Sequence, residues 1–185
     1  MTFKLSAFCL LSMGVGHVAC AEMVRSTLPK FTVQEIPVLC DAKIAEVKTK
    51  LNAFGKIQLK DKVSAGNVLA QWDQIFAEFE DFYGPINLYS NVDPNAEVRQ
   101  AADNCEVKIS QFQTEIYQDA NLYQQIKKIK TSDKIDTKFR QDILEGFEDT
   151  GIQLSSDKQA RLKVILDDLT KIQQEFARNI RDNPE

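Results

Sequence analysis

Residues 84–123 read GPINLYSNVDPNAEVRQAADNCEVKISQFQTEIYQDANLY. Gly84 and Pro85 interrupt the helical pattern that precedes them, and Asn87 to Asn91 read as a loop. Asp93 can then cap a new helix by accepting from the free amides of its first turn, with Pro94 at the first helical position. From there Val98, Ala102, Cys105, Ile109, Phe112 and Ile116 recur at steps of four and three. At roughly 3.6 residues per turn, this places one apolar face along about five turns. The segment is a long amphipathic helix, and the rest of the chain is organised around it.

Upstream, Glu22 to Ile36 reads as an extended lead-in and Pro37 suits a first helical turn. Cys40, Ile44, Val47, Leu51 and Phe54 then form a stripe that Gly55 can end in a left-handed cap. Residues 57–63 read as a loop. Ser64 to Tyr83 is helical, with Val68, Leu69, Trp72, Ile75, Phe76, Phe79 and Phe82 on one broad face. That aromatic density reads first as core; a peptide-binding groove is the sharper alternative, since exposed aromatic patches are uncommon. Asp73, Glu78, Glu80 and Asp81 lie off that face. With nothing to set their pKa values apart, they read as solvated charges rather than a general acid and base.

Downstream, Asn121 to Lys130 forms a shorter helix with Leu122, Tyr123, Ile126 and Ile129 inward. Thr131 to Asp136 is a polar turn, and Phe139, Ile143, Leu144 and Phe147 mark another helix ending near Gly151. Ser156 and Gln159 have the spacing of a capping box. The last helix is expected to bury Leu162, Ile165, Leu169, Ile172, Phe176 and Ile180, and Asn183-Pro184 stops it. No strand pattern, internal repeat or Gly-rich phosphate loop is visible. The fold class is therefore all-α: a bundle of about five or six helices, mostly antiparallel because their connections are short.

The first 21 residues have the pattern of a cleaved signal peptide: Lys4, an apolar run from Leu5 to Val15, then Ala19-Cys20-Ala21. That run is too short to span a bilayer, which takes about 20 apolar residues, so no stable membrane span is expected. Lipidation of Cys20 fits less well, because His17 stands where a Leu-like residue belongs. The expected organisation is a signal peptide over 1–21, a lead-in over 22–36 and one helical domain over 37–185, exported to the periplasm or secreted. Cleavage would remove His17, the chain's single histidine. Catalysis by Ser-His-Asp or Cys-His arrangements is then excluded, and His-Met haem ligation loses its imidazole. Lys4 is the only charge in the leader, so 22 Lys and Arg would face 27 Asp and Glu. An acidic chain with no basic block is not a nucleic-acid binder, and Lys127, Lys128 and Lys130 read as a solvated helix face.

Cys40 and Cys105 are the two cysteines beyond the leader. In an oxidising compartment they could form one disulfide between the first and third long helices. Both fall on apolar faces, however, and the restrictive geometry of such bridges favours buried free thiols.

Two blocks carry a resemblance to a known family. Gly84, Pro85, Asn91, Val92, Pro94, Arg99 and Ala101, followed by KISQFQTEIYQDANLY, resemble a Gly-Pro-hydrophobic loop and Asn-Val-x-Pro-x-x-x-x-Arg-x-Ala helix start. Phe147, Gly151, Leu154 and Arg161, leading into QQEFARNI, resemble a Gly-x-x-Leu loop and Phe-x-x-Asn helix. Both occur in this order in the N-terminal part of the thimet oligopeptidase, neurolysin and oligopeptidase A family of zinc metallopeptidases. The resemblance is good from about Trp72 to Asn183 and weak before it. It implies a helical channel wall that restricts access to short peptides, with zinc held by an H-E-x-x-H helix in a C-terminal domain. Two imidazoles one turn apart bind the metal there, and the Glu between them is the general base. No such motif exists in this chain, so no catalytic, cofactor-binding or metal-binding residue is assigned. The resemblance implies short peptides and a C-terminal zinc-bearing domain or subunit as partners. It also implies an exposed apolar patch where the missing half would pack. A free-standing exported helical module that binds peptides or proteins without catalysis is the alternative.

Overall fold

The computed structural model describes residues 28–59 and 65–183. The leader, His17 and residues 60–64 lie outside the described residues. Among the described residues there are six helices: α1 (Glu35–Phe54), α2 (Ala65–Val92), α3 (Ala96–Tyr117), α4 (Ala120–Lys128), α5 (Lys134–Asp149) and α6 (Ser156–Arg181). No strand occurs among the described residues. The all-α reading holds.

Helices α1, α2 and α3 form the centre. Asp41 in the second turn of α1 meets Lys108 in the middle of α3, and Gly55 meets Asn121 just past the ends of both helices, so α1 and α3 run parallel. Between them α2 runs the opposite way, with Phe79 against Phe112 and Asn87 against Glu106. The whole expected stripe of α3, from Val98 to Ile116, is buried. The aromatic face of α2 is core as well. Trp72 packs on Phe54, Phe76 and Phe147, while Tyr117 and Tyr123 close on Phe147 from α3 and α4. Gly146 permits this, because a Cβ there would lie 2.9 Å from the Tyr117 ring.

Several local expectations are corrected. Helix α2 does not stop at Gly84-Pro85 but continues to Val92. Proline removes one backbone donor, that of residue 85, whose acceptor would be the carbonyl of exposed Asp81, where water can substitute. Beyond it Ile86 and Ser90 are buried in line with Phe79, and that packing outweighs the break. Helix α3 consequently starts later than expected. Its cap is Asn95, which accepts from the Glu97 amide, and Asp93 instead accepts from the Asn95 amide.

Gly55 is right-handed, at φ −61°. Its small size matters for another reason, since a Cβ there would lie 2.5 Å from the Asn121 side chain. Helix α1 begins at a capping box that sequence reading missed: Thr32 Oγ1 accepts from the Glu35 amide, and the Glu35 carboxylate accepts from the Thr32 amide. Ser156 and Gln159 do not form the box expected of them. Ser155 is the cap residue, and Gln159 Nε2 donates to the Ile152 carbonyl. The end of α5 fits its reading. Gly151 adopts φ +80°, with its amide donating to Glu148 and that of Ile152 to Phe147, as in a Schellman cap.

Cys40 and Cys105 are joined by a disulfide, with Cα atoms 5.9 Å apart, rather than buried as the free thiols favoured from sequence. Both residues are buried, as their stripes required. What periodicity could not supply was that parallel packing of α1 and α3 brings the two stripes face to face at these positions.

Candidate interaction face

Helix α6 departs furthest from its sequence reading. Its stripe was expected to be core, yet no residue of α6 is buried. Ile165, Leu169, Ile172, Phe176 and Ile180 are between 46% and 65% exposed. These residues share one face of the helix and run for about 22 Å at 1.5 Å per residue. Exposed Val164 widens the patch on one side. Leu162, at its start, packs over Gly151 together with Leu154, so the Gly-x-x-Leu segment is a tight turn that sets the direction of α6.

The face that α6 turns toward α3 is polar. Ser110 and Thr170 share a hydrogen bond of 3.0 Å, and Gln174 Nε2 reaches Glu106 at 3.5 Å. Arg178 donates to Gln100. At the far end Arg181 pairs with Asp103 and Asp182, and Arg99 Nη2 reaches Asp182 at 3.2 Å. Arg99 also donates to the Asp93 carbonyl, so the α2–α3 turn and the end of α6 are tied by one side chain. The two sequence blocks that carry the family resemblance meet here, through Arg99 of the first and the residues after QQEFARNI.

Electrostatics follow from this arrangement. Burial pushes the Glu106 carboxyl above its ordinary range, opposed by hydrogen bonds from Asn87 and Ser90. Burial likewise raises the Tyr83 hydroxyl, with the Glu106 charge adding to it. Asp182 is held below the usual carboxylate range by its hydrogen bond from Arg181, and Arg181 is raised by the same carboxylates. Glu106 and Tyr83 line a cavity of about 280 Å³ with Ser110, Gln113, Thr170 and Gln173. The Glu106 carboxylate is taken up by Asn87 and Gln174, and Ser110 by Thr170, so this seam reads as a structural contact between helices.

Elsewhere, a groove of about 640 Å³ between α1 and α3 is floored by Cys40 and Cys105 and walled by Val33, Pro37 and Ala101. Its lining contains no nucleophile with an adjacent base. Glu78 of α2 pairs with Lys50 of α1, while Asp73, Glu80 and Asp81 are exposed. Lys127, Lys128 and Lys130 are exposed, with Lys127 Nζ 5.1 Å from the Tyr123 ring centre. Among the described residues, no group of three or more His, Cys, Asp or Glu converges to hold a metal ion. Nor is any described helix long and apolar enough to cross a membrane.

No protein-family model matches the chain. It is similar to a thimet-like oligopeptidase of Dictyostelium discoideum, with 26% identity over 171 residues. The match covers 88% of this chain and 25% of the relative, so the chain spans about a quarter of the length of the curated relative it matches.

Proposed function

We propose that this chain is the N-terminal, non-catalytic helical portion of a zinc-dependent oligopeptidase that hydrolyses short peptides. In this reading it forms part of the wall of a peptide channel and selects substrates by size. The zinc and its general base belong to another segment or subunit. The observation that carries the reading is the alignment, which takes in nearly all of this bundle but only a quarter of a thimet-like oligopeptidase. The outer face of α6 supports it, because a strip of Ile, Leu and Phe along a helix is the kind of surface that packs against further structure.

The purified chain is expected to leave short fluorogenic peptides intact, with or without added zinc. Chelator-sensitive hydrolysis by pure material would overturn the non-catalytic part of the proposal. A nearby reading frame encoding an H-E-x-x-H helix would identify the zinc-bearing partner.

A second reading is a free-standing exported module that binds proteins or peptides. The openness of the α6 face favours it equally. A genome without any such zinc-bearing frame would give it precedence.

A further inference from the structure

We propose that the outer face of α6 docks one basic amphipathic α-helix, laid along it in coiled-coil register. The inference deepens the proposed function by naming the chemistry of the segment that covers this face, and it rests on that reading only for where the helix comes from.

Three observations define the occupant. The first is spacing. Leu162, Ile165, Leu169, Ile172 and Phe176 alternate steps of three and four, an average of 3.5 residues. A 3.5-residue apolar repeat is the pattern that accepts knobs from a facing helix, at a crossing angle of about 20°.

The second is the placement of the strip. The opposite face of α6 is already taken by the seam to α3 through Thr170, Gln174, Arg178 and Arg181. The strip can therefore be covered only from outside the described bundle.

The third is charge. Gln173 flanks the strip on one side, where it lines the cavity against α3. The other flank, where Glu175 lines a separate cavity with Gln100 and Arg178, carries Arg161, Asp168 and Glu175, each one position before a strip residue. All three are exposed, and Asp168 has only a 3.4 Å contact to the equally exposed Lys171, a kind of pair that contributes little. A partner helix with Lys or Arg on its flank satisfies Asp168 and Glu175.

The same border disfavours other occupants. Antiparallel pairing of two copies would set Ile165 against Phe176 and Leu169 against Ile172, but it also brings Asp168 of each copy beside Glu175 of the other. Parallel pairing offers those carboxylates Gln173 and Ile180, and no cation. An anionic lipid surface is repelled by the acidic border and by a net charge of −4.

The test uses two labelled synthetic 21-residue helices, both with Leu at the first and fourth heptad positions, one flanked by Lys and one by Glu. Fluorescence anisotropy is expected to show the Lys-flanked peptide binding at least about tenfold tighter at low salt. D168K/E175K should reverse that preference, and I172D/F176D should abolish binding of both peptides. All four positions are exposed, and circular dichroism checks that the variants stay folded. Equal binding of the two peptides, or binding unaffected by I172D/F176D, overturns the proposal. So does concentration-dependent dimerisation in sedimentation that I172D/F176D removes, which would make a second copy the occupant. Co-flotation with phosphatidylcholine–phosphatidylserine vesicles, lost in the same variant, overturns it in favour of a membrane. None of these readouts involves zinc or hydrolysis, so failure here is distinguishable from failure of the peptidase reading.

Discussion

Arg181 in the last turn of α6 grips Asp103 in the first half of α3 with two parallel contacts, Nη1 to Oδ1 and Nη2 to Oδ2, each 3.2 Å. Asp103 is only 4% exposed. Nη1 also donates to the Ser90 carbonyl of α2, so one guanidinium joins three helices. Removing it would strand a buried carboxylate. Arg181→Met is expected to destabilise the fold by roughly 2–4 kcal/mol, below the upper range for a buried pair because Arg181 is partly wet. Urea titration measures this. Adding Asp103→Asn should recover much of the loss, and an additive double variant would count against the pairing.

The disulfide closes a sequence separation of 65 residues between α1 and α3. A loop of that length restricts the unfolded chain by roughly 4 kcal/mol on the chain-entropy model. Cys40→Ala/Cys105→Ala is expected to lower the denaturation midpoint strongly. Reductant should lower the midpoint of the native protein and leave that of the variant unchanged. Two thiols that react after unfolding without reductant would show that the bridge is absent.

Phe147 is fully buried where α2, α3, α4 and α5 meet, with ring centroids of Tyr117, Tyr123 and Trp72 at 5.1, 5.6 and 6.0 Å. Phe147→Ala should cost roughly 3–5 kcal/mol. Trp72 is the single tryptophan, so its emission reports the loosening directly. An unchanged spectrum and midpoint would contradict the packing described.

Glu106 gives the seam a pH dependence. Its pKa is raised in the folded state, chiefly by burial. The folded chain therefore holds this proton more tightly than the unfolded one. Stability from this group is present below the ordinary carboxylate range and is lost as pH rises through the raised value. Glu106→Gln keeps an acceptor for Asn87 and a similar shape. It is expected to raise the thermal midpoint near neutral pH, and to converge with the native protein below about pH 4. A lower midpoint at neutral pH would mean that the charge itself stabilises the seam.

The open strip on α6 should bind a hydrophobic dye, as patches of several hundred Å² do. Ile172→Ser/Phe176→Ser is expected to reduce that binding while changing stability by no more than about 0.5 kcal/mol, since both side chains are exposed. A large loss of stability would place these residues in a core after all.

The helical class, the buried stripes of α1 to α5 and the aromatic core were legible because amphipathic periodicity reports which residues share a face. The stripe of Val98, Ala102, Cys105, Ile109, Phe112 and Ile116 on α3, and Leu122, Tyr123 and Ile126 on α4 with Ile129 just after it, could be read directly as buried positions. The end of α5 near Gly151 was legible too, whereas the left-handed cap expected of Gly55 is found at Gly151 instead. Pro85 misled because a local preference of about 3 kcal/mol is outweighed when Ile86 and Ser90 beyond it gain burial. Ser156 misled because the adjacent Ser155 takes the cap position and Gln159 bonds the Ile152 carbonyl instead. The polar seam carried no signal, because Asp103, Glu106 and Arg181 look like ordinary surface charges until α6 lies against α3.

The amino-acid sequence determined, by itself, that this chain is helical, where its apolar faces run, and that it carries no histidine pair for a zinc site. Only the tertiary structure decided that α1 and α3 lie parallel with Cys40 against Cys105, and that α6 turns its polar side inward. Periodicity defines a face relative to its own helix axis. Which way that face points depends on contacts between residues far apart in the chain, here Arg181 with Asp103 and Thr170 with Ser110.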